Sequence, residues 1–154
     1  MDIAAIDLDD QQFVALIEAH LAHAFANSPA ESVHAMALGG LSMPGVTVWG
    51  AKEEGTLVGI GALKELSADS GEIKSMHTAA THRGKGVGRA MLAFLLAECR
   101  RRGYTAVSLE TGANAAYAPA RALYEAAGFS RTTPFASYTE DPNSTFFTLA
   151  LTPA

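Results

Sequence analysis

Three cations and three glycines are interleaved in the run Arg83-Gly84-Lys85-Gly86-Val87-Gly88-Arg89. The run follows a strand-like stretch, Glu72-Ile73-Lys74-Ser75-Met76-His77-Thr78, and opens an amphipathic helix. Glycines leave backbone N–H groups uncovered, and a helix start adds unpaired N–H groups and the positive end of its dipole. Successive turn amides add an anion nest. The chemistry is anion capture, and a pyrophosphate is the guest that fits. A P-loop needs Ser or Thr after its Gly-Lys pair to hold magnesium, and Gly86 stands there. A dinucleotide fingerprint needs a third glycine where Arg89 stands.

What remains is Arg-x-x-Gly-x-Gly, from Arg83 through Gly86 to Gly88. It resembles the coenzyme A signature of the GNAT N-acetyltransferase superfamily. Downstream, Pro119-Ala120-Arg121-Ala122-Leu123-Tyr124-Glu125-Ala126-Ala127-Gly128-Phe129 resembles the Ala-x-x-Leu-Tyr-x-x-x-Gly-Phe segment of the same superfamily. The resemblance covers residues 46 to 151 and extends into the N-terminal helices. Residues 28–35, 109–112 and 141–144 look like a bacterial subfamily whose substrate is undefined.

The resemblance implies acetyl-coenzyme A as acetyl donor, with its pyrophosphate on Arg83, Gly84, Lys85, Gly86, Val87, Gly88 and Arg89. It also implies that backbone groups of Met76, His77 and Thr78, chiefly those of Met76 and Thr78, pair with the pantetheine arm like an added strand. Many members carry an asparagine seven residues before the tyrosine, in contact with coenzyme A. Here that position is Tyr117, so one cofactor hydrogen bond is in question.

Acetyl transfer to an amine needs a proton for the departing thiolate and a base for the ammonium. Tyr124 is the candidate acid, matching the tyrosine of Leu-Tyr-x-x-x-Gly-Phe; a phenol's pKa near 10 lies above a thiol's near 8.5. Packing of its helix on the sheet is the competing role. Glu72, six residues before Thr78, matches the glutamate base of histone-type members. Lys74 shares its sheet face at period two, so a structural ion pair, or positioning of substrate rather than proton abstraction, is an equal reading. His77, expected on the opposite face, and Glu110 are further candidate bases. His34, Lys74, Glu110 and Tyr138 are candidate acceptor-pocket residues, Tyr138 in a polar loop over 132–144. His20 and His23 are spaced like a metal pair, but nothing completes a site and no metal is expected.

The elements that must position these groups follow from periodicity. Ile3, Ile6 and Leu8 suggest an opening strand, and Asp9 with Gln12 marks a helix start. Phe13, Leu16, Ile17 and Leu21 form that helix's apolar stripe. Ser28-Pro29-Ala30-Glu31 starts a second helix ending at Gly39-Gly40. Residues 46–53 and 56–64 read as a hairpin around Glu54-Gly55. Strands follow over 71–78, 105–109, 129–132 and 145–151, with a helix from Val87 to Gly103 and another over 118–127. The expected fold is a mixed α/β domain, GNAT-like. It has a central twisted mixed sheet of about six to seven strands flanked by about four helices, over residues 1–154 as a single domain.

Net charge is −5, with 11 Lys and Arg against 16 Asp and Glu, which argues against a nucleic-acid partner. Six of those cations lie between positions 83 and 102. Arg100, Arg101 and Arg102 are expected to favour the negative end of their helix. No apolar run is long enough to span a bilayer, and no signal-peptide layout opens the chain. Cys99 is the only cysteine, so a cytoplasmic location is the natural expectation. The leading reading is direct acetyl transfer to a primary amine of a small molecule. Acetylation of a protein N-terminus or lysine, and a non-catalytic coenzyme A-binding module, are the alternatives. Assembly as a homodimer is compatible with the sequence.

Overall fold

The computed structural model describes residues 1–27, 41–136 and 138–152. Its centre is a seven-stranded sheet in the order β1-β2-β3-β4-β5-β7-β6. The strands are β1 (Asp2–Ala5), β2 (Val46–Glu53), β3 (Thr56–Ser67), β4 (Ser70–Thr78), β5 (Ala106–Gly112), β6 (Ser130–Thr132) and β7 (Ser144–Ala150). Only β4 and β5 run parallel; every other pairing is antiparallel. Three α-helices lie among the described residues: α1 (Gln11–Asn27), α2 (Val87–Arg101) and α3 (Ala118–Ala126). The helix expected after Ser28, with His34, lies outside them.

The first half is built by local chemistry. Glu54 and Gly55 both take positive φ, 49° and 81°, the geometry of the tight hairpin turn whose twist matches its strands. The start of α1 is set one residue later than expected. Asp10, not Asp9, caps it, its Oδ1 accepting from the N–H groups of Gln12 and Phe13 at 2.9 and 3.1 Å. Gln12 therefore does not close a capping box. Its side chain instead donates to the Gly55 carbonyl and accepts from the Leu57 N–H, pinning α1 to the hairpin. Phe13, Leu16 and Ile17 then pack on Val48, Leu57, Ile60 and Ala62, on one face of the sheet.

The opposite face carries α2 and α3. Val87, Met91, Leu92, Leu95, Leu96 and Cys99 are buried there with Ile73, Leu109, Tyr124, Phe129 and Phe147. A fully buried aliphatic side chain contributes about 1.5–3 kcal/mol, so this face fixes the axis of α2 firmly. The approach is close. A Cβ built on Gly59 would stand 2.6 Å from Cγ1 of Val87, so β3 seats the first turn of α2 only because Gly59 has no side chain.

The far end of α2 is fastened by charge. Glu98 accepts from Arg101 and Arg102, and Arg102 also reaches Thr47 Oγ1 and lies over the Trp49 ring. The arginine cluster thus acts through Glu98 and Trp49 as well as through the dipole. Hydrogen bonds from Arg101 hold the Glu98 carboxyl down at about 2, from an ordinary 4.5. A depressed carboxyl contributes stability above its ordinary pKa and loses it as pH falls. We expect Glu98→Gln to lower Tm by about 1–3 °C at pH 7, the worth of an ion pair that solvent still reaches through Arg101. The gap should narrow below pH 4.5 and close near pH 2; thermal melts across that range check it.

Candidate active site

Pairing between β4 and β5 runs from Ser70–Ala106 to Ile73–Leu109 and then stops, although both strands continue. Immediately beyond, β4 bulges. Lys74 pairs with Ala62 but His77 pairs with Ile60, so Ser75 and Met76 together face the single residue Gly61. Ser75 has φ of 54°. A bulge of this kind bends its strand, and the two parallel strands part around a cleft of about 930 Å³.

One end of the cleft is the glycine turn. Gly84 and Gly86 take positive φ, 76° and 85°, and a Cβ on either would meet no protein atom within 4 Å. Gly86 is the N-cap of α2 and supplies no side-chain cap. The first N–H groups of α2 are therefore left open to an anion. Arg83, Gly84, Gly86, Val87, Gly88 and Arg89 line the cleft, whereas Lys85, also expected here, is exposed outside its lining. The residues fit a coenzyme A pyrophosphate. Along the middle, Met76, His77 and Thr78 line the wall on the stretch of β4 that β5 has left.

Tyr124 reaches the cleft from the α2 face of the sheet. It is 6% exposed and packs against Phe129 and Phe147. Burial pushes its phenol above the usual range. Tyr117 does not share a regular helix with it: it ends a 3-10 turn, Ala115–Tyr117, just ahead of α3. The Tyr117 ring lies so close over Gly112 that a Cβ there would overlap it. Arg121 holds this corner, donating to the carbonyls of Gly112 and Asn114 at 2.8 Å.

The other face carries Glu72, the one buried charged residue among those described, 3% exposed. Lys74 Nζ stands 3.0 Å from Glu72 Oε2. Tyr138 donates its hydroxyl to the same oxygen at 2.7 Å and accepts from Lys74 at 2.7 Å. Burial first, and Glu72 second, push the Tyr138 phenol well above its ordinary value. Glu110, paired with Phe146 in β7, lines the same end. His77 is a correction: it was expected opposite Glu72 and Lys74, but the bulge returns it to their face, where its ring meets His20 at 5.1 Å. His20 thus faces His77 across the cleft wall. The ring of Tyr138, Lys74 and Glu72 was not legible as such, since Tyr138 lies 66 residues from Glu72.

A family model described as the acetyltransferase (GNAT) family matches residues 8–129. The chain belongs to the GNAT acetyltransferases. It is 48% identical over 151 residues to the N-acetyltransferase YsnE of Bacillus subtilis (strain 168), covering 98% of this chain and 100% of that one. A Klebsiella pneumoniae structure described as an acyl-CoA N-acyltransferase superposes with a TM-score of 0.80 at 30% identity, covering 98% and 97%. A GNAT structure from Elizabethkingia anophelis with acetyl-CoA bound shares the fold, with a TM-score of 0.71, 16% identity and 97% of each chain covered. The protein is an acyltransferase that takes acetyl-coenzyme A as acetyl donor. Among the described residues no helix is long and apolar enough to cross a membrane.

The turn geometry yields a test. Aspartate at position 86 would have to adopt φ near 85° and would set an anion beside the open amides. We expect Gly86→Asp to weaken acetyl-coenzyme A binding by about 10-fold or more, roughly the loss of one charge-assisted hydrogen bond. Calorimetric titration of the folded variant measures it, and unchanged affinity would remove the pyrophosphate from this turn.

Proposed function

We propose that the protein transfers acetyl directly from acetyl-coenzyme A to a primary amine of a small molecule, within a single domain and without a covalent enzyme intermediate. The observation that carries this reading is the division of one cleft by charge. Arg83, Arg89 and open amides stand at one end; Glu72 and Glu110 stand at the other, with a single lysine already paired. The first end suits a pyrophosphate and the second suits an ammonium.

Acetyl-coenzyme A supplies an activated thioester. Glu72 and Glu110 draw in the ammonium, and Glu72 takes one of its protons or passes it to water. The freed nitrogen lone pair attacks the thioester carbonyl; the C–N bond forms and the C–S bond breaks. Tyr124 meets the departing sulfur from the α2 face, opposite the amine. Acid and base thus work through the gap between β4 and β5, from the two faces of the sheet. With its pKa raised by burial, Tyr124 keeps its proton at working pH and stabilises the thiolate as a hydrogen-bond donor. The second proton, which the nitrogen must lose as the amide forms, passes to the sulfur by way of the Tyr124 hydroxyl or water, so that the thiol leaves and Glu72 holds the first.

An amine-library screen that follows coenzyme A release and records product masses tests the reading. A product heavier by one acetyl group on a primary amine supports it. Acetylation only of peptide N-termini or lysines would contradict it. Tyr124→Phe keeps the contacts with Phe129 and Phe147 and removes one hydroxyl. Its kcat should fall about 10²–10⁴-fold, the usual worth of a positioned acid, with Tm nearly unchanged. A well-folded Tyr124→Phe enzyme at full rate would assign sulfur protonation to water.

A further inference from the structure

Tyr138 is held in place by more contacts than a pocket wall requires. It comes from the loop between β6 and β7, outside the sheet. Its hydroxyl bonds both Glu72 and Lys74, Lys74 Nζ lies 5.4 Å above its ring, and its ring packs on Phe135 and Phe146. Phe135 and Phe146 also meet edge to face at 5.9 Å, so two packed rings brace one phenol. Both donors fall on Glu72 Oε2, which leaves Oε1 as the oxygen able to take a further donor.

We propose that Tyr138 is the positioning residue of the acceptor end: its hydroxyl locks Glu72 Oε2 against Lys74 and so presents Oε1 to the acceptor's ammonium. This rests on the proposed amine transfer and adds to it a partner for the carboxylate. Loss of the phenol removes one of the two hydrogen bonds that fix Oε2, so the carboxylate is free to turn and the ammonium loses its fixed partner. The loop carrying Tyr138 therefore sets both the wall of the acceptor pocket and the orientation of its anion.

Several other groups surround Glu72: Lys64 opposite it on β3, Lys74 and His77 on β4, Glu110 on β5 and His20 on α1. None of them changes in Tyr138→Phe, which retains the ring. A crystal structure of Tyr138→Phe reads the orientation of the Glu72 carboxylate directly. We expect the carboxylate to leave the position it holds against Lys74, and KM for the amine to rise about 10-fold, the worth of a hydrogen bond to a charged group, with KM for acetyl-coenzyme A unchanged. A carboxylate unmoved in the folded variant, or an unchanged KM for the amine, overturns the proposal and leaves Tyr138 a wall. The crystal structure needs no turnover. A displaced carboxylate in a protein that acetylates no amine would overturn the transfer reading and leave this one standing.

Discussion

The parallel pairing of β4 with β5 ends at Ile73–Leu109, and the bulge at Ser75 bends β4 just beyond it. Both events are needed. Paired strands would bring their side chains together but leave no passage through the sheet, and an edge strand alone would have only one wall. The bulge also resets the side-chain alternation, so His77 rejoins Glu72 and Lys74 while Met76 and Thr78 turn toward α2. Ser75 bears the cost of this, with a non-glycine positive φ and a buried hydroxyl that has no hydrogen-bond partner among the described residues. Strain of this kind, about 1–3 kcal/mol, persists where the surrounding structure over-determines it. Here the paired strands on one side and the Glu72–Lys74–Tyr138 ring on the other do so.

Burial gives Glu72 its character. A carboxylate 3% exposed is strongly destabilising unless it is paired and hydrogen-bonded, and Lys74 and Tyr138 provide both. The ion pair and a base at Glu72, which are equal readings of the sequence, therefore do not exclude each other. Lys74 neutralises the charge through one oxygen without occupying the other. Glu110 lines the same part of the cleft and adds a second carboxyl group to the end proposed for the acceptor.

Much of this was legible because it is written locally. Glycines at 84, 86 and 88 announced a turn with uncovered amides, Pro119 and Gly128 bracketed α3, and alternation placed Glu72 with Lys74. The failures have physical reasons too. Alternation misplaced His77 because the bulge is carried by a serine, with no glycine to mark it. Counting assigned the start of α1 to Asp9 because Gln12 completes a capping-box pattern, yet Gln12 is drawn to the hairpin backbone instead. Tyr138 showed only as a polar-loop aromatic, since its partners lie 64 and 66 residues away. A tyrosine in a loop next to aromatic Phe135, ahead of Phe146, was the one available signal that the loop folds back onto the sheet.

On the proposed reading the parted strands seat the thioester between Tyr124 on one face and Glu72 on the other, and a crystal structure with coenzyme A bound tests this most directly. The pyrophosphate should lie on the amides that open α2, the pantetheine arm along residues 76–78, and the sulfur about 3–3.5 Å from the Tyr124 hydroxyl, within reach of reaction. Coenzyme A bound outside the gap, or with its sulfur on the Glu72 face away from Tyr124, would contradict it.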